Sequence, residues 1–366
     1  MIIKSVLTVV SAIALLSGCG LSAASQPPAG CPAGGWDAAL VWSSGTDPAG
    51  DIAFVRGGEV VGRQSLPFQG LDPAPSDGIF RTEGAAWLKS NGDTGRDRTT
   101  VLRYDTRACA AEGHRVDEQV IRAVIPHAEG FVTTNTVNGE ARVIRRDGAG
   151  KVVATSAFPD LTVTALRENG DAVLALGSTM GTESDTAVLL ELDGTTLKER
   201  RRVTLDGVVG SDDLVVRGDR LYYPKTVVRR TPGGAEVEGS ALGVVTLSDL
   251  RQSEVDLGAP APAVLAADEL AIYVAHTFMN PSFRDPNEYH TVTRLDTATG
   301  AVQSFDAGPG LLSIAVRGDR LFAVNQVDRG TPTVTTYRLP DFTRIASATV
   351  PPPQGQYFYV AGLLAP

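Results

Sequence analysis

Short apolar runs recur in pairs along this chain, and a two-residue polar turn separates the members of each pair. Asp213-Leu214-Val215-Val216 is followed by Gly218-Asp219 and then Leu221-Tyr222-Tyr223. Leu312-Ser313-Ile314-Ala315-Val316 is followed by Gly318-Asp319 and then Leu321-Phe322-Ala323-Val324. The six residues Val216-Arg217-Gly218-Asp219-Arg220-Leu221 return letter for letter as Val316-Arg317-Gly318-Asp319-Arg320-Leu321, 100 residues on. Gly at the first central position suits a type II′ turn, whose twist matches that of the flanking strands. The same pattern is present at Glu83-Gly84, Glu129-Gly130, Gly170-Asp171 and Asp268-Glu269. Measured from positions 84, 130, 170, 218, 268 and 318, the steps are 46, 40, 48, 50 and 50 residues. A period of about 40–50 residues with several strands per unit is the signature of propeller blades.

Each unit holds a second hairpin, whose first strand ends in a turn phrase such as Leu192-Asp193-Gly194, Leu247-Ser248-Asp249, Leu295-Asp296-Thr297 or Leu339-Pro340-Asp341. Four strands, a to d from the axis outward, then make one blade. The first unit begins at Asp37 and lacks an innermost strand, whereas the run Gln356 to Leu364 is surplus at the other end. Pairing that run into the first blade closes a ring and removes the open sheet edges that invite aggregation. The expectation is an all-β, seven-bladed β-propeller of four-stranded antiparallel blades. They fall near 37–68, 77–118, 120–159, 161–206, 212–258, 262–306 and 311–350, and the C-terminal strand joins the first.

The N-terminus reads differently. Lys4 precedes an apolar run from Val6 to Leu16, too short to span a membrane but right for an export signal. The run ends in Leu16-Ser17-Gly18-Cys19, which resembles the lipobox of bacterial lipoproteins. The resemblance implies cleavage after residue 18 and a diacylglyceryl group on Cys19, hence an extracytoplasmic protein anchored to the membrane by lipid. Residues 19–35 are small, polar and Pro-rich, as expected of a tether, and 36–366 form the propeller domain. The two remaining cysteines, Cys31 and Cys109, are an even pair outside the cytoplasm and point to a disulfide, with two free thiols as the alternative. Closing a loop of that length would contribute roughly 4–5 kcal/mol on the chain-entropy account.

A formal charge of −9 argues against non-specific binding to nucleic acid or to anionic lipid. Gly 39 and Pro 22 suit a turn-rich β protein, and nothing in the composition requires more than a monomer. The two Arg-Gly-Asp triplets are explained by the hairpins that contain them.

The stretch Arg294-Leu295-Asp296-Thr297-Ala298-Thr299-Gly300-Ala301-Val302-Gln303-Ser304-Phe305 resembles the repeat phrase of quinoprotein-type (PQQ-like) propellers, with Phe305 in the place of Trp. The other units are degenerate, as in YVTN and WD-repeat-like propellers. The resemblance implies fold rather than activity. No nucleophile elbow, zinc-protease motif or complete phosphate-binding loop is present. The vicinal cysteine pair of quinoprotein alcohol dehydrogenases is missing as well. No cofactor is predicted; PQQ or a divalent metal is the alternative.

Candidate binding residues come from the long b–c connections, since binding function concentrates on loops carried by a rigid scaffold. Blade five offers Tyr222, Lys225 and Arg229. Blade six offers His276, Asn280, Arg284, Asp285, Tyr289 and His290, and the two histidines would need a third ligand to hold a metal. Asn91, Asp93, Gly95 and Asp97 faintly resemble a calcium loop but lack its later Glu. Asp77, Asp117, Asp160 and Asp212 lie near d–a corners, either as turn formers or as a partial acidic ring. The sequence therefore favours a cell-envelope lipoprotein whose propeller is a non-catalytic scaffold for a protein or small-molecule ligand. The alternative is a propeller enzyme, a quinoprotein-like dehydrogenase, lactonase or lyase.

Overall fold

Each apolar–turn–apolar unit is a hairpin in the computed structural model. Arg217 pairs with Arg220 and Arg317 with Arg320, leaving Gly218-Asp219 and Gly318-Asp319 as two-residue turns. Gly218 and Gly318 both sit at φ +56°, the left-handed value that the first position of a type II′ turn requires. The structure describes residues 31–44, 50–66, 70–71, 74, 79–90, 100–118, 120–180, 186–205, 213–231, 234–277, 289–328, 330–354 and 357–366; from 226 to 231 and 234 to 238 only the backbone is described. The export signal, Cys19 and most of the tether therefore lie outside the described residues.

These hairpins build seven four-stranded antiparallel sheets. Blades two to seven span 80–115, 123–159, 161–204, 215–256, 262–306 and 311–349, close to the expected limits. Blade one takes Ala38–Ser44, Gly50–Arg56 and Glu59–Leu66 as strands b to d, and Phe358–Leu364 as strand a. That last strand pairs antiparallel with Ala38–Ser44, from Ala39 opposite Leu364 to Ser44 opposite Phe358, and closes the ring as the sequence predicts. Among the described residues all regular structure is β-strand.

The innermost strands of neighbouring blades touch one another around the axis. They are Phe80–Thr82, Ala123–His127, Leu161–Asn169, Val215–Arg217, Pro262–Ala267 and Leu311–Arg317, besides Phe358–Leu364. Strands b are buried on both faces, as in Ala271–His276, because each sheet is sandwiched between two others. Strands d, such as Glu199–Thr204, alternate between exposed and half-buried positions. The buried apolar residues fall into seven clusters, and every cluster joins two adjacent blades. The core is thus divided into inter-blade wedges. Fully burying one Leu, Val or Ile in such a wedge contributes roughly 1.5–3 kcal/mol.

The Asp-ended turn phrases have a common physical cause. Asp296 Oδ1 accepts from the backbone of Ala298 (3.2 Å) and Thr299 (2.8 Å) and from Thr299 Oγ1 (2.8 Å). Asp193 Oδ1 does the same for Thr195 and Thr196, and Asp105 Oδ1 for Arg107 and Ala108. These Asx turns satisfy the amides that the sheet leaves open at those c–d corners. Phe305, at the Trp place of the PQQ-like phrase, stacks on Phe342 of blade seven with centroids 4.5 Å apart.

Three expectations about turns need correction. In blade six Ala267 pairs with Ile272, so the connection runs over residues 268–271 and is not Asp268-Glu269 alone. In blade three the turn residues are Ala128 and Glu129, because His127 pairs with Gly130. Ala128 takes the left-handed φ of 50°. Gly130 is required for another reason: a side chain there would collide with the backbone of Arg146 and Asp147. In blade five the long b–c loop is an extended hairpin, Arg220–Thr231 paired with Gly234–Thr246.

The two cysteines form the disulfide Cys31–Cys109, with Cα atoms 5.1 Å apart. It fastens the entry segment to the c–d turn of blade two, where Cys109 is fully buried. Gln64 links the same corner to blade one: it donates to Cys109 O at 3.0 Å and accepts from the Tyr104 hydroxyl at 2.8 Å.

Candidate functional site: an arginine-lined axial cavity

In an antiparallel blade the a–b and c–d turns share one end of the propeller, and the b–c and d–a connections share the other. The residues nominated from the sequence lie mainly at the b–c end. Tyr222 is buried in the wedge between blades five and six. Lys225 Nζ is paired with Glu254 Oε2 at 2.7 Å. Arg229 stands opposite Glu236 in the extended hairpin. Asn280, Arg284 and Asp285 lie outside the described residues, as do Asn91, Asp93, Gly95, Asp97, Asp77 and Asp212.

The two blade-six histidines have different surroundings. His276 is 1% exposed, with Nδ1 2.8 Å from Pro260 O and Nε2 2.8 Å from Thr293 Oγ1. Burial pushes its pKa down to about 4, so the ring is neutral and both nitrogens are occupied. His290 is exposed and its Nδ1 lies 3.1 Å from Asp306 Oδ1. Tyr289 is buried, and its carbonyl accepts from Leu311 N at 3.1 Å. Asp160 acts as a turn former at φ 59°, with its carbonyl accepting from Met180 N at 2.9 Å. Among the described residues no three His, Cys, Asp or Glu side chains are grouped as a metal site would need.

At the a–b end the axis opens into a cavity of about 620 Å³. That volume lies within the range of small-ligand pockets, about 300–1,000 Å³. Its apolar wall comes from innermost strands, Val215 of blade five, Leu265 of blade six and Ile314 of blade seven, and from Ile79 just before the innermost strand of blade two. Polar side chains stand toward the a–b turns. Five arginines, Arg81, Arg107, Arg167, Arg217 and Arg317, face three carboxylates, Glu83, Glu168 and Asp213. In a chain of formal charge −9 this lining carries a local excess of positive side chains. A cationic cleft with low-dielectric walls concentrates anions.

The guanidiniums are held in different ways. Arg107 pairs with Glu83 at 2.8 Å, and both are well exposed. Arg167 donates to Asp213 Oδ1 at 2.8 Å and lies over the Phe80 ring, 4.7 Å from its centroid. Asp213 Oδ2 in turn accepts from Leu265 N at 2.8 Å, which ties blade four through blade five to blade six. Glu168 is taken by His127 Nδ1 at 2.6 Å, while His127 Nε2 lies 2.7 Å from Gly194 O. Arg81 donates to the carbonyls of Leu363 (2.8 Å) and Ile79 (3.1 Å). Arg217 donates to the carbonyls of Asp268 (3.0 Å) and Val216 (3.2 Å). A carbonyl orients a guanidinium without cancelling its charge.

Sequence reasoning passed over these arginines, although a signal was there. Arg81, Arg167, Arg217 and Arg317 each stand one to three residues before the glycine of an a–b turn, in four of the units. In each case the Arg also fits a solvated position of the hairpin that contains it, so the repeat alone does not single it out.

No protein-family model matches the chain, and no curated protein is similar to it in sequence. Solved structures are similar in shape. A mutant of apocarotenoid oxygenase from Synechocystis is 10% identical with a TM-score of 0.53, over 90% of this chain and 92% of that one. BamB from Moraxella catarrhalis is 12% identical with a TM-score of 0.47, over 88% and 87%. The dihydro-haem d1 dehydrogenase NirN in complex with DHE is 11% identical with a TM-score of 0.49, over 88% and 75%. At such identities the likeness speaks for the fold alone. The sheets and their closure give the fold directly: the chain is a seven-bladed β-propeller.

Proposed function

We propose that this chain is a non-catalytic binding propeller of the cell envelope, held at the membrane by lipid on Cys19, with the axial cavity as its ligand site. The observation that carries the binding reading is the cavity itself. It has ligand-sized volume, walls from innermost strands, and among its five lining arginines one, Arg217, that is oriented by backbone carbonyls and not by a carboxylate. Such groups hold and orient a ligand; they are poor general bases, because an arginine stays protonated at working pH. The envelope reading rests on the signal-like run and the Leu16-Ser17-Gly18-Cys19 phrase.

Two experiments test it. A panel of small neutral, anionic and cationic molecules is screened by thermal shift on the full chain. The expected result is that at least one class raises Tm, since a ligand that binds only the folded state stabilises it by mass action. A flat panel overturns the cavity as a ligand site. For the anchor, cell fractionation and intact mass are compared for the wild type and Cys19→Ser. The wild type is expected in the membrane fraction with the added mass of a diacylglyceryl group, and the variant without it. A soluble, unmodified wild type overturns the anchor.

A further inference from the structure

We propose that the axial cavity binds a small organic dianion, a dicarboxylate or a phosphomonoester, and that Arg217 and Arg317 read its charge. The proposal deepens the binding reading above and rests on it.

Arg217 and Arg317 are the same residue of the same repeated phrase, both lining the cavity. Arg217 finds a carbonyl on the neighbouring a–b turn, Asp268 O of blade six. Blade seven is followed by blade one, whose strands a and b are Phe358–Leu364 and Ala38–Ser44. No turn joins those two strands, so Arg317 meets no such carbonyl. Among the described residues Arg317 has no hydrogen-bond or ion-pair partner and Arg217 has no carboxylate partner. The cavity therefore presents two guanidiniums from different blades that no carboxylate among the described residues pairs, with N–H groups left over on each. A guanidinium takes a carboxylate or phosphate bidentately. Two guanidiniums on separate blades match a ligand with two negative charges better than one with a single charge. The 620 Å³ volume admits a small metabolite-sized anion.

The test is calorimetric titration of the full chain at low ionic strength with succinate, glycerol 2-phosphate, acetate and putrescine. Succinate or glycerol 2-phosphate, or both, should bind, and the two separate the carboxylate from the phosphate source. Acetate should bind at least tenfold more weakly, and putrescine should not bind. Arg217→Gln and Arg317→Gln should each weaken the dianion by about tenfold or more, the effect of losing a charge-assisted hydrogen bond. Arg217→Lys and Arg317→Lys should keep part of the affinity. Arg220→Gln and Arg320→Gln alter the other arginine of each phrase, outside the cavity lining, and should leave it unchanged. A cooperative thermal melt in each of the four Gln variants separates lost binding from lost fold. Added salt should weaken binding. Equal affinity for acetate and the dianions overturns the proposal, as does dianion binding that survives both cavity substitutions. If the dianions fail while another member of the neutral, anionic and cationic panel still raises Tm, the dianion assignment falls and the binding reading stands. If nothing binds, both fall.

Discussion

Val216–Leu221 and Val316–Leu321 are the same six residues in two places, and they separate what is local from what is tertiary. Locally they agree: the same Arg–Arg pair closes the same two-residue turn, with Gly218 and Gly318 at the same φ of 56°. In both, the carbonyl of the turn Asp accepts from the amide just past strand c at 2.8 Å, Leu247 in one copy and Leu339 in the other. Beyond the hairpin they differ. Arg217 is half-buried and anchored on blade six, whereas Arg317 is exposed and has no side-chain partner among the described residues. Arg220 is exposed, whereas Arg320 donates to Asp37 of blade one at 3.1 Å. A hairpin is decided by six residues; the use of its side chains is decided by the blade that comes next.

The largest difference lies just past the repeat. Tyr223 of blade five is paired with Gly243, and the corresponding pair in blade seven is Ala323 with Thr335. Large and small have changed strands: a side chain at Gly243 would fall inside the Tyr223 ring. Tyr223→Ala should cost about 3–5 kcal/mol by emptying a fully buried site. Adding Gly243→Thr to it, which copies the blade-seven pair, should recover part of that loss. Chemical denaturation of the single and double variants checks this, and additive losses would break the idea that the two sites are one packing solution.

Blade six, between the two copies, carries the next effect. The His276 pKa is about 4 in the fold against 6.5 for an ordinary ring. The unfolded chain therefore takes up a proton first as the pH falls. Stability should be full above about 6.5 and decline toward pH 4, by about 3 kcal/mol in all. Denaturation midpoints between pH 7 and 4 should fall less steeply in His276→Gln, and identical slopes would remove His276 as the cause.

Smaller still are the turn glycines. Gly218→Ala and Gly318→Ala place a Cβ at positive φ in open space, so backbone strain alone acts. Each should cost about 1–2 kcal/mol, and the same amount in both copies. A clear inequality in thermal melts would show that the copies differ even locally. The smallest effect separates the outer arginines. Arg320→Ala should lose up to about 1 kcal/mol with its partly exposed ion pair to Asp37, and Arg220→Ala close to nothing.

Much of this molecule was legible in advance. Blade number, blade limits, the closing strand and the Cys31–Cys109 bond all agree with the reading of the chain. They rest on local features, namely apolar runs, turn glycines, Asx-forming aspartates and a cysteine count. The site was legible only in part. Loop length drew attention to the b–c end of blades five and six, yet Tyr222 and His276 proved to be core residues. Both fall in apolar strand runs, Leu221-Tyr222-Tyr223 and Ile272-Tyr273-Val274-Ala275-His276, and that pattern already favours burial.

By itself, then, the sequence determined the hairpins, their repetition and hence the ring, because turn geometry and apolar alternation act over a few residues. It also placed arginine beside four of the a–b turns. Only the tertiary structure decided what those arginines do. Charges distant along the chain meet at one mouth when seven blades close around an axis, and whether a guanidinium is cancelled, anchored or left open depends on which backbone lies across the blade boundary. At that boundary the ring closure removes one turn, and two identical phrases become different groups.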